Sequence, residues 1–230
     1  MSRIFFYRSL AVAGLLGAAL AGGACSDMNK THDTMREEQY NRWDLSRVAI
    51  MDQLAEQQYK VGDYDKCRST IADGLAIKPD FAPLHVLAAR VDLEKGTLES
   101  ASEHLKTALR LNARDPEPHY LLGVVYQRWQ NPQAAHDYYQ QAWDLKPSEA
   151  RYMLAVVEME ITLGKVDEAR KLLEDRLMYF EQTAAVRVAL ARLAMLKDDY
   201  TTACKYYADA LLLQPDDAGV RRSYAEALFF

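Results

Sequence analysis

Apolar residues along this chain recur three and four positions apart, the spacing that lines one side of a helix. Nowhere do they alternate with polar residues as a half-buried strand requires. Leu45, Val48, Met51 and Ala55 open the pattern, which continues to the end of the chain and is broken at intervals by Gly, Asn, Asp and Pro. It predicts an all-α chain of short helices, each roughly 14 residues or about 20 Å long, joined by tight turns. Thr34-Met35-Arg36-Glu37 forms a capping box, which places the start of the first helix near Met35 and its end near Lys60.

The interruptions are periodic. Gly62-Asp63-Tyr64 is followed, at steps of 34 residues without insertion or deletion, by Gly96-Thr97-Leu98, Gln130-Asn131-Pro132, Gly164-Lys165-Val166 and Asp198-Asp199-Tyr200. Setting this glycine at position 15 gives five units: 48–81, 82–115, 116–149, 150–183 and 184–217, with a single terminal helix over 218–230. Position 8 then holds Ala55, Ala89, Gly123, Val157, Ala191 and Ala225. Position 20 holds Cys67, Ala101, Ala135, Ala169 and Ala203, and position 27 holds Gly74, Ala108, Ala142, Arg176 and Ala210. Position 24 is large throughout: Ile71, Leu105, Tyr139, Leu173 and Tyr207. Small residues at three fixed places let two helices approach closely, and the large one beside them fills the gap. Position 32 is Pro79, Ala113, Pro147, Glu181 and Pro215, and unit 4 departs most, through Val157, Arg176 and Glu181.

Turn chemistry agrees. At position 16, Asp63, Thr97, Asn131 and Asp199 are good N-caps for a second helix. Gly62, Gly96 and Gly164 sit where the first helix must end in the left-handed region. Asp80, Asp115, Ser148, Thr183 and Asp216 are the expected caps of the following units. The pattern of small, large and proline positions, with a 34-residue period over 48–230, resembles the tetratricopeptide repeat. The resemblance implies a right-handed α-solenoid of five helix pairs plus a C-terminal capping helix.

It also implies a concave face lined by first helices, with positions 2, 5, 9, 12 and 13 pointing inward. Here those places supply Val86, Tyr120, Leu154 and Val188, then Arg90, Val124 and Arg192, then Leu93, Arg128, Ile161 and Met195. A contiguous apolar strip with arginines at its edge is the expected partner-binding groove, taking an apolar or amphipathic peptide. The alternative is that the solenoid, or its terminal helix, buries part of the strip itself. Some family members grip a C-terminal carboxylate with Lys and Asn at positions 5 and 9 of the first unit. Asp52 and Glu56 stand there and would repel it.

The N-terminal 24 residues read as an address. Arg3 and Arg8 precede an uncharged stretch rich in Leu, Ala and Gly that ends Leu20-Ala21-Gly22-Gly23-Ala24-Cys25. Small residues before a cysteine resemble a bacterial lipobox, with Cys25 as the lipidated residue. Gly22 and Ala24 also fit an ordinary signal-peptidase cut at the same bond. Residues 25–47 are then a tether and leader helix. Ser26, in place of the Asp that retains enteric lipoproteins in the inner membrane, points to the outer membrane, facing the periplasm.

Composition narrows the functional classes. Of 230 residues, 50% are hydrophobic and 27% charged, an ordinary globular mix that excludes a disordered chain, and a net charge of −5 argues against a nucleic-acid binder with a basic surface. Three cysteines are too few for a disulfide scaffold. Cys67 occupies the small interior column and reads as an alanine substitute, and Cys204 lies beside that column four units away. His85 and His119 share position 4 of neighbouring units and read as packed, partly buried side chains rather than metal ligands. Nucleotide-binding, hydrolase and zinc motifs are absent, so neither an enzyme nor a cofactor is expected. Size, anchor and repeat count resemble bacterial tetratricopeptide lipoproteins that serve as pilotins in type IV or Flp pilus assembly. A scaffold for cell-wall hydrolases or outer-membrane protein assembly is the second reading.

Overall fold

The computed structural model describes residues 13–230, and their side chains from residue 34 onward. The leader and the Cys25 lipidation site therefore lie outside the side chains described, while the backbone is helical without a break over 13–60, so the capping box at Thr34 does not begin a helix and the expected tether is part of one. The helices are α1 (Ala13–Lys60), α2 (Tyr64–Ile77), α3 (Ala82–Lys95), α4 (Leu98–Leu111), α5 (Pro116–Arg128) and α6 (Pro132–Leu145). They continue with α7 (Ala150–Thr162), α8 (Val166–Arg176), a 3-10 turn (Leu177–Phe180), α9 (Ala184–Leu196), α10 (Tyr200–Leu213) and α11 (Ala218–Phe229). Among the described residues there is no strand, and no helix is long and apolar enough to cross a membrane.

Each unit is a helix pair, and each pair stacks on the next. The small columns are the reason. Ala55, Ala89 and Ala191 on the first helices, and Cys67, Ala101, Ala135, Ala169 and Ala203 on the second, are fully enclosed. Beside them Ile71, Leu105, Tyr139, Leu173 and Tyr207 are buried. At Gly123 an added Cβ would overlap the Tyr139 ring, so this crossing admits no side chain without moving the tyrosine. Ala225 holds the same column in α11 and is exposed, because no second helix follows it among the described residues.

Unit 4 differs for a physical reason. Position 27 is Arg176, which cannot enter the small column, and α8 stops at that residue after 11 residues. Its guanidinium lies over the rings of Trp143 and Tyr179, 5.4 and 5.7 Å from their centroids. The 3-10 turn that follows brings Phe180 into the core in place of a further helical turn.

The caps separate by chemistry. Asp63, Asn131 and Asp199 accept hydrogen bonds from the backbone N–H of Lys66, Ala134 and Thr202. Thr97 does not cap: its Oγ1 donates instead to the Asp92 carbonyl at 3.2 Å. Among the unit-starting caps, Asp115 accepts from Glu117 N–H at 3.0 Å. Asp80 pairs with Lys78, Phe81 and Glu149 take the N-cap places expected of Asp80 and Ser148, and Asp217 rather than Asp216 caps α11. Thr183 stands at its N-cap without a side-chain bond. Leu45, expected on the buried side of α1, is exposed; Val48 and Ala55 carry that side.

Gly62, Gly96 and Gly164 end their first helices at φ of 77–78°, as the turn demands. The equivalent residues in units 3 and 5 are Gln130 (φ 57°) and Asp198 (φ 58°). A left-handed non-glycine residue costs about 1–2 kcal/mol, of which glycine's greater unfolded-state freedom offsets roughly half. Gln130→Gly is therefore expected to raise unfolding free energy by about 0.5–1 kcal/mol, and Gly96→Ala to lower it by a similar amount. Denaturant unfolding checks both, and a destabilised Gln130→Gly variant would contradict the turn assignment.

Candidate functional site

The first helices α1, α3 and α5, and again α7 and α9, touch one another directly, so their matching positions form continuous columns along one face. Position 5 places Val86, Tyr120, Leu154 and Val188 in line, all half-buried. Val124, Ile161 and Met195 are likewise half-buried beside them, while Leu93 is only 5% exposed and lies beneath the surface. Arg128 and Arg192 are exposed, and Arg90 is half-buried.

The arginines are not free to read a ligand at the edge. Arg90 Nη1 donates to Glu56 Oε2 at 2.9 Å, and its guanidinium sits 4.2 Å from the centre of the Tyr59 ring. Arg192 Nη1 donates to Glu158 Oε2 at 3.4 Å, and Arg128 Nη1 to the Leu93 carbonyl at 2.6 Å. In both carboxylate pairs the partners are 34 residues apart, so position 9 of one unit ties to position 9 of the next. Exposed pairs of this kind contribute about 0–1 kcal/mol each, enough to bias the stacking angle but not to create it.

Position 2 repeats the device with residues the sequence reading passed over. Arg151 bridges to Glu117, and the Tyr152 hydroxyl donates to the same carboxylate at 3.0 Å. Burial, reinforced by Glu117, pushes the Tyr152 phenol up to about 12. The Tyr120 ring lies 5.4 Å from that of Tyr139 and 5.3 Å from that of Tyr152, so the centre of the face is an aromatic step held by hydrogen bonds on one side. Opposite charges spaced one unit apart were the available signal.

Between α7, α9 and α11 the face deepens into a recess of about 300 Å³. Leu154, Val157, Ile161, Val188 and Val220 form its walls, with Glu158, Arg192, Gln214 and Asp217 at the mouth. Four of the sequence-predicted residues, Leu154, Ile161, Val188 and Arg192, therefore meet in one place. Val86 and Arg90 stand two units away along the same face, and the acidic Asp52 and Glu56 lie at the unit 1 end. Burial and the neighbouring Glu56 raise the Asp52 carboxyl above its ordinary value.

The cysteines and histidines serve the packing. Cys67 is fully enclosed, its thiol directed at the Ala55 carbonyl at 3.2 Å, and Cys204 is partly buried; both are free thiols. His85 Nε2 lies 2.9 Å from the Pro79 carbonyl, and His119 Nε2 lies 3.3 Å from that of Ala113, so position 4 reaches back to position 32 in both units. His85 Nδ1 also faces His104 Nδ1 at 3.2 Å. Burial holds the His104 imidazole below its ordinary value against the pull of Asp92, and His85 adds to the lowering.

Family models match three stretches of the chain: residues 89–129 as a TPR repeat, and residues 116–149 and 184–217 as tetratricopeptide repeats. The last two coincide with units 3 and 5. Human protein O-mannosyl-transferase TMTC1 is 26% identical over 203 residues, which cover 84% of this chain and 23% of that protein. The chain thus spans under a quarter of that relative's length. Among solved structures, a thermophilic TPR protein of Thermus thermophilus superposes with a TM-score of 0.63 at 25% identity, covering 80% of this chain and 100% of that one. PilW, a widely conserved type IV pilus biogenesis factor, gives 0.68 at 21% identity over 79% of this chain and 86% of its own. PilF of Pseudomonas aeruginosa gives 0.66 at 18% identity, covering 80% and 90%. The fold is an all-α solenoid of tetratricopeptide repeats.

The depressed His104 fixes the sign of one pH effect. The unfolded chain protonates this imidazole near its ordinary 6.5, whereas the folded chain does so at lower pH. Between those values the unfolded state binds the extra proton, so stability falls as pH drops through 6.5. The melting temperature is expected to decline from pH 7.5 toward about 5.5, and His104→Leu to flatten that decline. An unchanged slope in the variant would show that other groups govern it.

Proposed function

We propose that this chain of tetratricopeptide repeats is a lipid-anchored scaffold of the bacterial envelope that holds an apolar or amphipathic peptide along its first-helix face. The observation that carries the reading is the recess between α7, α9 and α11, where Leu154, Ile161, Val188 and Val220 present apolar surface beside a paired Arg192 and Glu158. Repeats of this fold bind proteins through surfaces made of side chains from several helices. A peptide with two or three apolar side chains on one side fits that recess, and the aromatic step at Tyr120 extends it toward unit 3. Because the arginines are already engaged with Glu56, Glu158 and a backbone carbonyl, apolar contact rather than charge supplies the affinity.

Anchoring rests on the Cys25 sequence signal, and Ser26 directs the anchored protein to the outer membrane. The partner class, a component of pilus or secretion assembly, is supported by the shared fold of PilF and of PilW, a type IV pilus biogenesis factor. No chemistry is required of the chain in this role; it positions one envelope component against another.

Two experiments test the proposal. Leu154→Asp and Val188→Asp are expected to weaken peptides selected from an array of envelope-protein segments by roughly tenfold or more while the melting temperature holds within a few degrees. Retained binding would move the site off this face. Cys25→Ala is expected to shift the protein from the membrane to the soluble fraction and to remove the acyl mass; unchanged fractionation and mass would overturn the anchor.

A further inference from the structure

The stacking of units leaves one face of α1 bare. In the following units, positions 3, 7 and 10 of the first helix are covered by the preceding second helix. Leu84, Ala88 and Val91 are buried in this way, as are Tyr152, Val156 and Met159, and Val186, Leu190 and Leu193. In unit 1 the same positions are Ile50, Leu54 and Gln57; Ile50 is 66% and Leu54 46% exposed, and Gln57 is exposed as well. Upstream, the stripe continues through Arg47, Trp43, Tyr40 and Arg36, with Trp43 64% exposed.

The length and exposure of this stripe separate it from the other helix faces. Residues 36, 40, 43, 47, 50, 54 and 57 step by four and three in strict alternation, the 3.5-residue seam of a coiled coil. The seam spans about 32 Å of helix. The second helices that cover this face elsewhere have 14 residues or fewer, about 21 Å at most, and would leave Tyr40 and Trp43 bare. Among the described helices only α1 itself is long enough to cover it. Arg36, Gln39, Tyr40 and Trp43 also surround a recess of about 330 Å³. Those four residues stand at i, i+3, i+4 and i+7, the arrangement that receives a knob from a facing helix.

We propose that the chain dimerises through α1, the seam of one copy packing on the seam of a second. The surface continues the stacking face used inside the array, and the partner helix carries the same 3.5-residue repeat at the same length. Arg36 and Gln57 stand at the two ends of the seam, and Arg47 is the polar residue in its interior, with Asp44 of its own turn 3.9 Å away. Such a residue lowers stability while limiting alternative registers.

Sedimentation equilibrium of the full chain in density-matched detergent tests this. A reversible monomer–dimer equilibrium is expected, with the Trp43 emission moving to the blue as the dimer forms. Trp43→Glu combined with Ile50→Glu places charge in the seam at two residues the monomer leaves exposed. It is expected to weaken dimerisation by at least roughly tenfold with helix content unchanged. Arg47→Leu is expected to tighten it. A wild-type monomer at all concentrations would overturn the proposal and leave the seam to a helix of another protein. So would a double variant that associates as strongly as the wild type, or an Arg47→Leu variant that associates less.

Discussion

Two helices can lie side by side at close range only if neither presents bulk where they cross. In this chain that condition is met by Ala55 against Cys67, Ala89 against Ala101 and Gly123 against Ala135, and again by Ala191 against Ala203, while unit 4 sets Val157 against Ala169. Everything else follows from it. Close approach leaves a fixed gap at position 24, which Ile, Leu or Tyr fills, and the filled pair presents a regular flank to the next pair. Burial within and between neighbours is then the dominant stabilising term, and the main helix–helix contacts among the described residues join adjacent units.

Electrostatics act on this frame as a trim. Glu56 with Arg90, Glu117 with Arg151, and Glu158 with Arg192 join equivalent positions of successive units. Lys95 with Asp65, and Lys197 with Asp167, join the end of a first helix to the second helix of the unit before. Each pair is partly or fully exposed, so salt weakens it. Together they tie the orientation of neighbouring helices, and they use up the charges that would otherwise give the first-helix face a strong preference for acidic ligands.

The fold was legible because it depends on side-chain volume at fixed intervals, and volume can be read residue by residue. The weakness of unit 4 was legible for the same reason, since Arg176 cannot occupy an alanine's place. Helix caps were less so. Thr97 and Asp63 are both competent caps, yet Thr97 Oγ1 is drawn to the Asp92 carbonyl, in a corner where Asp92 itself accepts from Arg68 and Ser100. That choice depends on three residues from other turns. Matching positions of the first helices do line up from unit to unit, but the engagement of Arg90, Arg128 and Arg192 was not legible. Their partners are one unit away, and a single helical wheel does not contain them. Leu45 misled because α1 extends beyond the array: Leu45 has the spacing of the packed stripe but precedes Val48, the first buried residue of the helix.

A stack held by neighbour contacts behaves mechanically as springs in series, and the softest spring takes most of the extension. Here that spring is unit 4, where α8 is shortest and packs more sparsely on α7 and α9 than the other second helices do on theirs. A pull applied between α1 and α11 would pass through it. The array would yield there first, parting two stiffer blocks, so the load it can transmit is set by the residue that displaced an alanine, Arg176.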